Sequence, residues 1–241
     1  MKEGGNSMIQ LNLIFVLLLL TTFARYVIFG EFEPLMFAMI FALPIASVVI
    51  FIMSKKFAKK ELGYHPKNID GWSFYHLQNT IVNKKLLFKG NEQRGYIKRF
   101  FEQKWQHIIA DIISSRWYLS LEIQIDEDVY TVRWYRKKWF TNQEHWHIYK
   151  NGEKVGEAST LINLKNTAKL KEAIAFRFGD ASLTSVATTV TSSISLMDGE
   201  RSVGGLKRNH LISNVQVIDV YENKPEYIIA LIVHAFNFKN S

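Results

Sequence analysis

The stretch that decides the fold is "KPEYIIALIVHAFNF", Lys224 to Phe238. Asn223 and Glu226, three residues apart, have the spacing of a capping pair, and Pro225 suits a first helical turn, where its missing amide proton costs nothing. A helix is therefore predicted to start here. Residues 227–238 span about 18 Å at 1.5 Å per residue, far less than the roughly 30 Å of a bilayer's hydrocarbon layer. The segment is not a membrane span. Ile228, Ile229, Leu231, Ile232, Val233, Phe236 and Phe238 fall on every side of the helix, and a helix apolar all round has to be surrounded by protein.

The rest of the C-terminal part supplies the surroundings. Apolar and polar residues alternate with period two in "YLSLEIQI" (Tyr118 to Ile125), "DVYTVRWYRKKWF" (Asp128 to Phe140) and "AIAFRF" (Ala173 to Phe178), each bounded by Asp, Asn or Gly. "HWHIYKNGEKVGEAS" places Asn151-Gly152 between two such runs, a hairpin signal, because a type I′ turn needs two residues that accept positive φ. "ISLMDGERSVGGLKR" repeats the design at Asp198-Gly199. The Ser/Thr-rich "TSVATTVTSSISL" has Val186, Val190, Ile194 and Leu196 on even positions and reads as one long strand. One segment departs from this: in "YIKRFFEQKWQHIIADIISS", Ile97, Phe100, Phe101, Trp105, Ile108, Ile109, Ile112 and Ile113 recur at three and four, as on an amphipathic helix. Few of its polar positions are basic, so packing across one mouth of a barrel is favoured over insertion at a membrane interface. So many strands would expose edges unless the sheet closed, and a closed antiparallel barrel around the C-terminal helix is the fold predicted, mainly β in an α+β chain.

The N-terminus is of another kind. Met8 to Ile28 is long and apolar enough to span a bilayer, with Gln10, Asn12 and Arg25 near its ends, and it exceeds the apolar core of a cleaved signal peptide. Leu35 to Met53 is a second span, kinked at Pro44. The short "GEFEP" between them forces a helical hairpin. Lys55, Lys56, Lys59 and Lys60 follow the second span and Glu31 and Glu33 lie in the loop, which puts both termini on the cytoplasmic side of a multi-pass cell-membrane protein. Arg25 is expected to reach the headgroups. "SKKFAKKELG" continues the second helix to a left-handed cap at Gly63. The organisation read is residues 1–62, a transmembrane hairpin with its juxtamembrane extension; 63–71, a linker; and 72–241, the barrel.

The strand pairs on "IYKNGEKVGEA" and "MDGERSVGGLKR", followed by "VIDVYENKPEYIIALIVHAFNF", resemble the last half of the tubby C-terminal-like superfamily, which includes the LURP-one-related proteins and the phospholipid scramblases. The resemblance covers roughly Trp72 to Phe238 as a pattern of strands and turns. It implies a barrel of about a dozen strands threaded by the C-terminal helix, and phosphoinositide binding or lipid movement as the class of function. No lipid-binding residue of the superfamily is fixed by a local motif here.

Chemistry is sparse. The chain is basic, +8 overall with a mean hydropathy of −0.04, and has no cysteine, which excludes disulfides and thiolate chemistry. From Ser54 onward, 28 Lys and Arg face 19 Asp and Glu, so the charge belongs to the barrel part and suits an anionic partner. The glycines Gly152, Gly156, Gly204 and Gly205 occur without a phosphate-loop pattern and read as turns and bulges. His145 and His147 share a strand face as metal ligands could, without a third ligand in the motif, and Asp126 to Asp128 fits a hairpin tip better than a calcium loop. No hydrolase motif arranges the histidines and serines, so no catalytic residue, metal or cofactor is assigned. The positive signal is "RWYRKKWF", where Arg133, Tyr135, Lys137 and Trp139 share one strand face and Trp134, Arg136, Lys138 and Phe140 the other. Cations among aromatics suit a headgroup layer, or stacked single-stranded bases, or a strand whose basic stems merely cover apolar surface; between the first two a membrane tether favours lipid, and nucleic acid is not expected as a partner. The reading is a non-enzymatic cytoplasmic module at the inner leaflet that binds anionic phospholipid headgroups or a protein partner through Lys55, Lys56, Lys59, Lys60, Arg133, Arg136, Lys137 and Lys138. The alternative is a membrane-anchored enzyme or lipid-moving protein acting on lipid or envelope precursors.

Overall fold

A computed structural model of the chain describes residues 4–76, 84–112, 117–137, 143–161, 171–188, 193–209 and 214–238. Three helices come first, α1 (Gly4–Phe29), α2 (Pro34–Ile40) and α3 (Ala42–Leu62). Among the described residues twelve antiparallel strands follow, β1 (Trp72–Tyr75), β2 (Lys84–Lys89), β3 (Glu92–Phe100), β4 (Ser120–Ile125), β5 (Asp128–Tyr135), β6 (His145–Lys150), β7 (Glu153–Thr160), β8 (Lys171–Phe178), β9 (Ala181–Thr188), β10 (Ser193–Asp198), β11 (Arg201–Arg208) and β12 (Val215–Val220). A short helix, α4 (Lys104–Ile112), lies between β3 and β4, and the C-terminal helix is α5 (Pro225–Phe238). Each strand pairs with its neighbours in sequence and β1 closes on β12, so the sheet is a barrel without an edge.

As the opening stretch predicts, α5 threads the barrel, and every side chain from Tyr227 to Asn237 is buried. Strands on both sides of the ring, β4 as well as β8 to β12, lie against it. The wall supplies Phe74, Leu87, Ile97, Leu121, Ile123, Val132, Trp146, Ile148, Ile174 and Phe176 from its inner face. Trp146 is wholly enclosed, and its indole N–H donates to the Leu119 carbonyl at 2.9 Å, so no polar group is stranded there. Helix α5 starts at Pro225 as expected, but the Asn223 side chain accepts a hydrogen bond from the Trp72 indole at 2.9 Å and so ties the helix entrance to β1.

The two mouths differ. Two-residue hairpin turns at Gly90-Asn91, Asp126-Glu127, Asn151-Gly152, Gly179-Asp180 and Gly199-Glu200 all sit at one end, here the turn end. Asn151 and Gly152 have φ of 49° and 95°, the pair of left-handed values a type I′ turn needs. At the second expected turn, Asp198 remains in β10 and the turn is Gly199-Glu200, with the glycine in the left-handed position. Longer connections join the strands at the opposite end, the helix end, where the N-terminal helices dock. Helix α5 follows β12 at the turn end and runs to the helix end, where Phe236 meets Phe74 and His76 of β1's far end.

The Ser/Thr-rich run and the amphipathic segment depart from their sequence pattern. "TSVATTVTSSISL" is two antiparallel strands, β9 and β10, paired Thr188 to Ser193. Reversing the chain flips the parity: Leu183, Ser185 and Ala187 point inward on β9, Ile194 and Leu196 on β10, and Val186 faces out; Val190 lies outside the described residues. The amphipathic helix begins only at Lys104, because Tyr96 to Phe100 continue β3, and the period-four spacing of Ile97 and Phe101 is accidental. Besides covering the Tyr118–Trp134 side of the mouth, α4 lies against α1.

Helices α1 and α3 pack side by side, joined by an Asn12 Nδ2 to Ser47 Oγ hydrogen bond of 2.9 Å and an edge-to-face contact of Phe15 with Phe41. Two helices, Leu11–Phe29 and Pro34–Leu62, are long and apolar enough to cross a membrane, and most of their leucines and valines face outward. The second is interrupted at Phe41, one turn before Pro44, which has no N–H to give the Ile40 carbonyl. At the tip Arg25 donates to Glu31 and Glu33 at 3.0 and 2.9 Å rather than extending alone. Gly63 ends α3, though with φ −87° and not in the left-handed cap expected.

The expected linker is a strap. Tyr64 hydrogen-bonds Ser73 at 3.2 Å and packs on Tyr75 and Phe88, and Ile69 is buried, so residues 63–71 run down the outer wall to β1. Just above it, Glu61 of α3 meets Lys85 of β2 at 2.5 Å, with side chains 1% and 3% exposed. Burial pulls the Lys85 ammonium below the usual lysine range, and the Glu61 carboxylate opposes that pull. Removing one member of such a pair strands the other charge and costs about 3–5 kcal/mol, whereas replacing both with apolar residues is close to neutral. We predict that Glu61→Gln lowers the Tm of the detergent-solubilised chain by several degrees or speeds proteolysis at residues 63–71. Glu61→Leu with Lys85→Met should recover most of the loss.

Candidate functional site

The cations singled out in the sequence fall into three settings. Lys55, Lys56, Lys59 and Lys60 are all exposed around the last turns of α3, with Lys55 Nζ 4.4 Å from the Phe51 ring centre. Arg133 and Lys137 point outward at the helix end of β5 and are exposed; Arg133 lies 3.9 Å from Glu102 and over the Tyr149 ring. Arg136 is turned into the barrel mouth. Its guanidinium packs 4.5 Å from the Trp117 ring and 5.5 Å from that of Trp134 and stands 3.6 Å from Glu144, whose other oxygen accepts the Trp134 indole N–H. The structure thus separates Arg136 from the outward cations, as the period-two register requires, and gives it a structural role. Lys138, Trp139 and Phe140 lie outside the described residues.

Other outward cations at the same end were not picked out in the sequence. Lys84, Lys104 and Lys207 are exposed and Lys98 half-exposed, so with Arg133 and Lys137 they ring the helix end; Glu102 offsets one of them. The turn end has the opposite character. Glu92, Asp126, Glu127, Glu153, Asp180, Asp198 and Glu200 are exposed there, and most cations among them are paired, as Arg94 is with Glu92 and Lys150 with Asp128, while Lys89 lies over the Trp72 ring. No local motif announces this polarity, because it exists only once the strand order is known.

Under α4 lies an aromatic cluster. Tyr118 packs edge-to-face on Trp105, Trp117 and Trp134, with centroids 5.4, 6.5 and 4.7 Å away. Its backbone is left-handed, φ 58°, a conformation that costs a bulky residue about 1–3 kcal/mol and persists only where the surroundings enforce it. Arg99, buried at the inner rim of β3, donates to the Trp117 carbonyl at 3.1 Å and so braces the same loop.

Two further constellations resemble reactive sites. Ser185 Oγ is 2.5 Å from His234 Nδ1, the contact a nucleophile and its base would make, but both side chains are wholly buried between β9 and α5 and meet no solvent. The pair satisfies polar groups inside the core. On the outer face of β6, His145 and His147 stack on Tyr135, the latter at 4.0 Å, and among the described residues no third His, Cys, Asp or Glu joins them as a metal site would need. Gly156 and Gly204 stand at register shifts between strands, as bulge glycines do. Comparison with protein-family models, curated proteins and solved structures gives no match, so the functional reading rests on this geometry.

The histidine pair has a measurable consequence. Burial, first, and the nearby lysines, Lys137 for His145 and Lys154 for His147, hold both below the ordinary histidine value; Glu157 pulls the other way. The unfolded chain therefore binds more protons than the folded one in the window just below pH ~6.5, and stability falls as the pH drops through it. Thermal unfolding of the chain in detergent should give a lower Tm at pH 5 than at pH 7.5, with a smaller difference in the His145→Asn, His147→Gln variant.

Proposed function

We propose that the chain is a membrane-anchored, non-enzymatic module whose barrel is held at the inner leaflet and binds anionic phospholipid headgroups. The carrying observation is the charge polarity along the barrel axis, with the cationic end on the side where the two apolar helices emerge and the acidic turns on the far side. Juxtamembrane cations attract an anionic leaflet by roughly 1 kcal/mol each, an effect confined to about one Debye length, so only cations at the helix end are in range. The buried Glu61–Lys85 pair supports the orientation, because it holds α3 and β2 in one arrangement. The lysines after α3 and the glutamates at the hairpin tip favour both termini on the cytoplasmic side. A barrel closed on a buried C-terminal helix is also what the resemblance to the tubby C-terminal-like superfamily implies, and that superfamily's association with lipids favours the same reading.

Native mass spectrometry of the full chain in mild detergent, titrated with phosphatidylglycerol or phosphatidylcholine, tests this. The wild-type chain should retain the anionic lipid preferentially. Arg133→Glu, Lys137→Glu and Lys207→Glu together should weaken that retention at least tenfold, since each reversal removes about 1 kcal/mol of attraction. Equal retention by the variant would retire the lipid reading and leave a protein partner at this surface.

A further inference from the structure

We propose that α4 is a second membrane contact, lying in the headgroup layer beside α1 with Trp105 as its interfacial anchor and phospholipid as its partner. The inference rests on the membrane-anchored reading above and adds a residue and a depth to it.

Four observations carry it. First, α4 lies against α1 and not only over the barrel mouth. Helix α1 runs antiparallel to α3, with Asn12 beside Ser47, which brings its first turns to the level where α3 leaves its apolar stretch for Lys55 and Lys56. Helix α4 bridges the helix ends of β3 and β4, the end to which Glu61 ties the last turn of α3, so the near, N-terminal part of α1 is the part it meets, and it sits at the height of the headgroups if α1 and α3 cross the bilayer. Second, Trp105 is 49% exposed, although it is the largest apolar side chain on α4. Outside the hairpin and its last turn, the described residues expose three large hydrophobic side chains, Trp105, Leu161 and Tyr221. Trp105 and Leu161 are both at the helix end, Leu161 directly after β7. Tryptophan is enriched at membrane interfaces because its ring is apolar and its N–H still needs a wet partner.

Third, the exposure is enforced. Tyr118, in its left-handed conformation, wedges between Trp105 and Trp134, so Trp105 rests on a rigid platform and is kept from folding into the core. Tyr118 is thus a positioning residue. Fourth, the flanking cations fit an anionic headgroup layer: Lys104 is the neighbour of Trp105 on α4, and Arg133 reaches the preceding Glu102. The lipid-facing surfaces of α1 and α3, with Leu13, Val16, Leu17 and Val48 exposed, continue to this level, so lipid and not water is the continuous neighbour of the patch.

The chain has no native cysteine, so single-cysteine labelling can be done on the full chain. Trp105→Cys, and separately the exposed Gln103→Cys just before α4 in case the first variant folds poorly, would carry an environment-sensitive fluorophore after reconstitution into phosphatidylglycerol and phosphatidylcholine vesicles. Leu17→Cys in α1 and Glu127→Cys at the turn end are the depth references. The inference predicts that labels at 105 and 103 are quenched at least twofold more by nitroxides at the headgroup than by aqueous iodide, that the Leu17 label is quenched by nitroxides deep in the acyl chains, and that the Glu127 label answers to iodide alone. If Leu17 is quenched in the bilayer while 105 and 103 behave like 127, the inference is overturned and the anchor stands. If Leu17 is not quenched by lipid, the anchored reading fails and this contact fails with it.

Discussion

A fourteen-residue helix with apolar side chains on every face has no stable place in water, and this chain meets that constraint by closing its strands around α5. Enclosing an aliphatic side chain stabilises by about 1.5–3 kcal/mol, while ordering each residue's backbone costs about 1–2 kcal/mol. A helix with one stripe enclosed would therefore gain little, and the gain is realised only when the whole circumference is covered. The requirement fixes the architecture. It demands a ring in place of an open sheet, and it demands tight hairpins at one end so that successive strands stay adjacent and leave no gap beside the helix.

The direction in which α5 enters then sets the character of the two mouths. Its C-terminus, which carries the partial negative charge of the helix dipole, points to the helix end. That mouth carries inward-facing Lys85, Arg99, Arg136 and Arg208 among its rim residues, cations of the sign the helix terminus favours. The inner and outer cations of the helix end are distinct in role: the inner ones brace the core and the docking joint, and the outer ones remain exposed. Glu61 is the counter-charge of the inner set, since it reaches from α3 to Lys85 and thereby couples the hairpin to the wall.

Much of this architecture is legible in the residues themselves. The all-round apolarity of residues 227–238 announces an enclosing wall, Asn151-Gly152 announces its turn, and the kink at Pro44 announces the break in the second apolar helix. What escapes is whatever depends on parity or on distance along the chain. A Ser/Thr run hides the reversal between β9 and β10 because hydroxyl residues suit strand and turn alike, and Val186 and Ile194 share parity while lying on opposite faces. Ile97 mimics a helical period while belonging to a strand. The Glu61–Lys85 joint, 24 residues apart in sequence, looks like two ordinary surface charges, and its only early hint is that Glu61 interrupts a run of lysines. The two strand faces of Arg136 and of Arg133 with Lys137 are legible from period two, but that the Arg136 face is the inner one, against Trp117 and Glu144, is not.

The enclosure of α5 can be measured directly by hydrogen–deuterium exchange of the full chain in detergent, followed by mass spectrometry. Peptides covering residues 227–237 should exchange among the slowest in the molecule and no faster than the core strands β4 and β6, opening only when the barrel unfolds. Exchange of that segment at the pace of a surface helix, while the strands stay protected, would contradict the central claim.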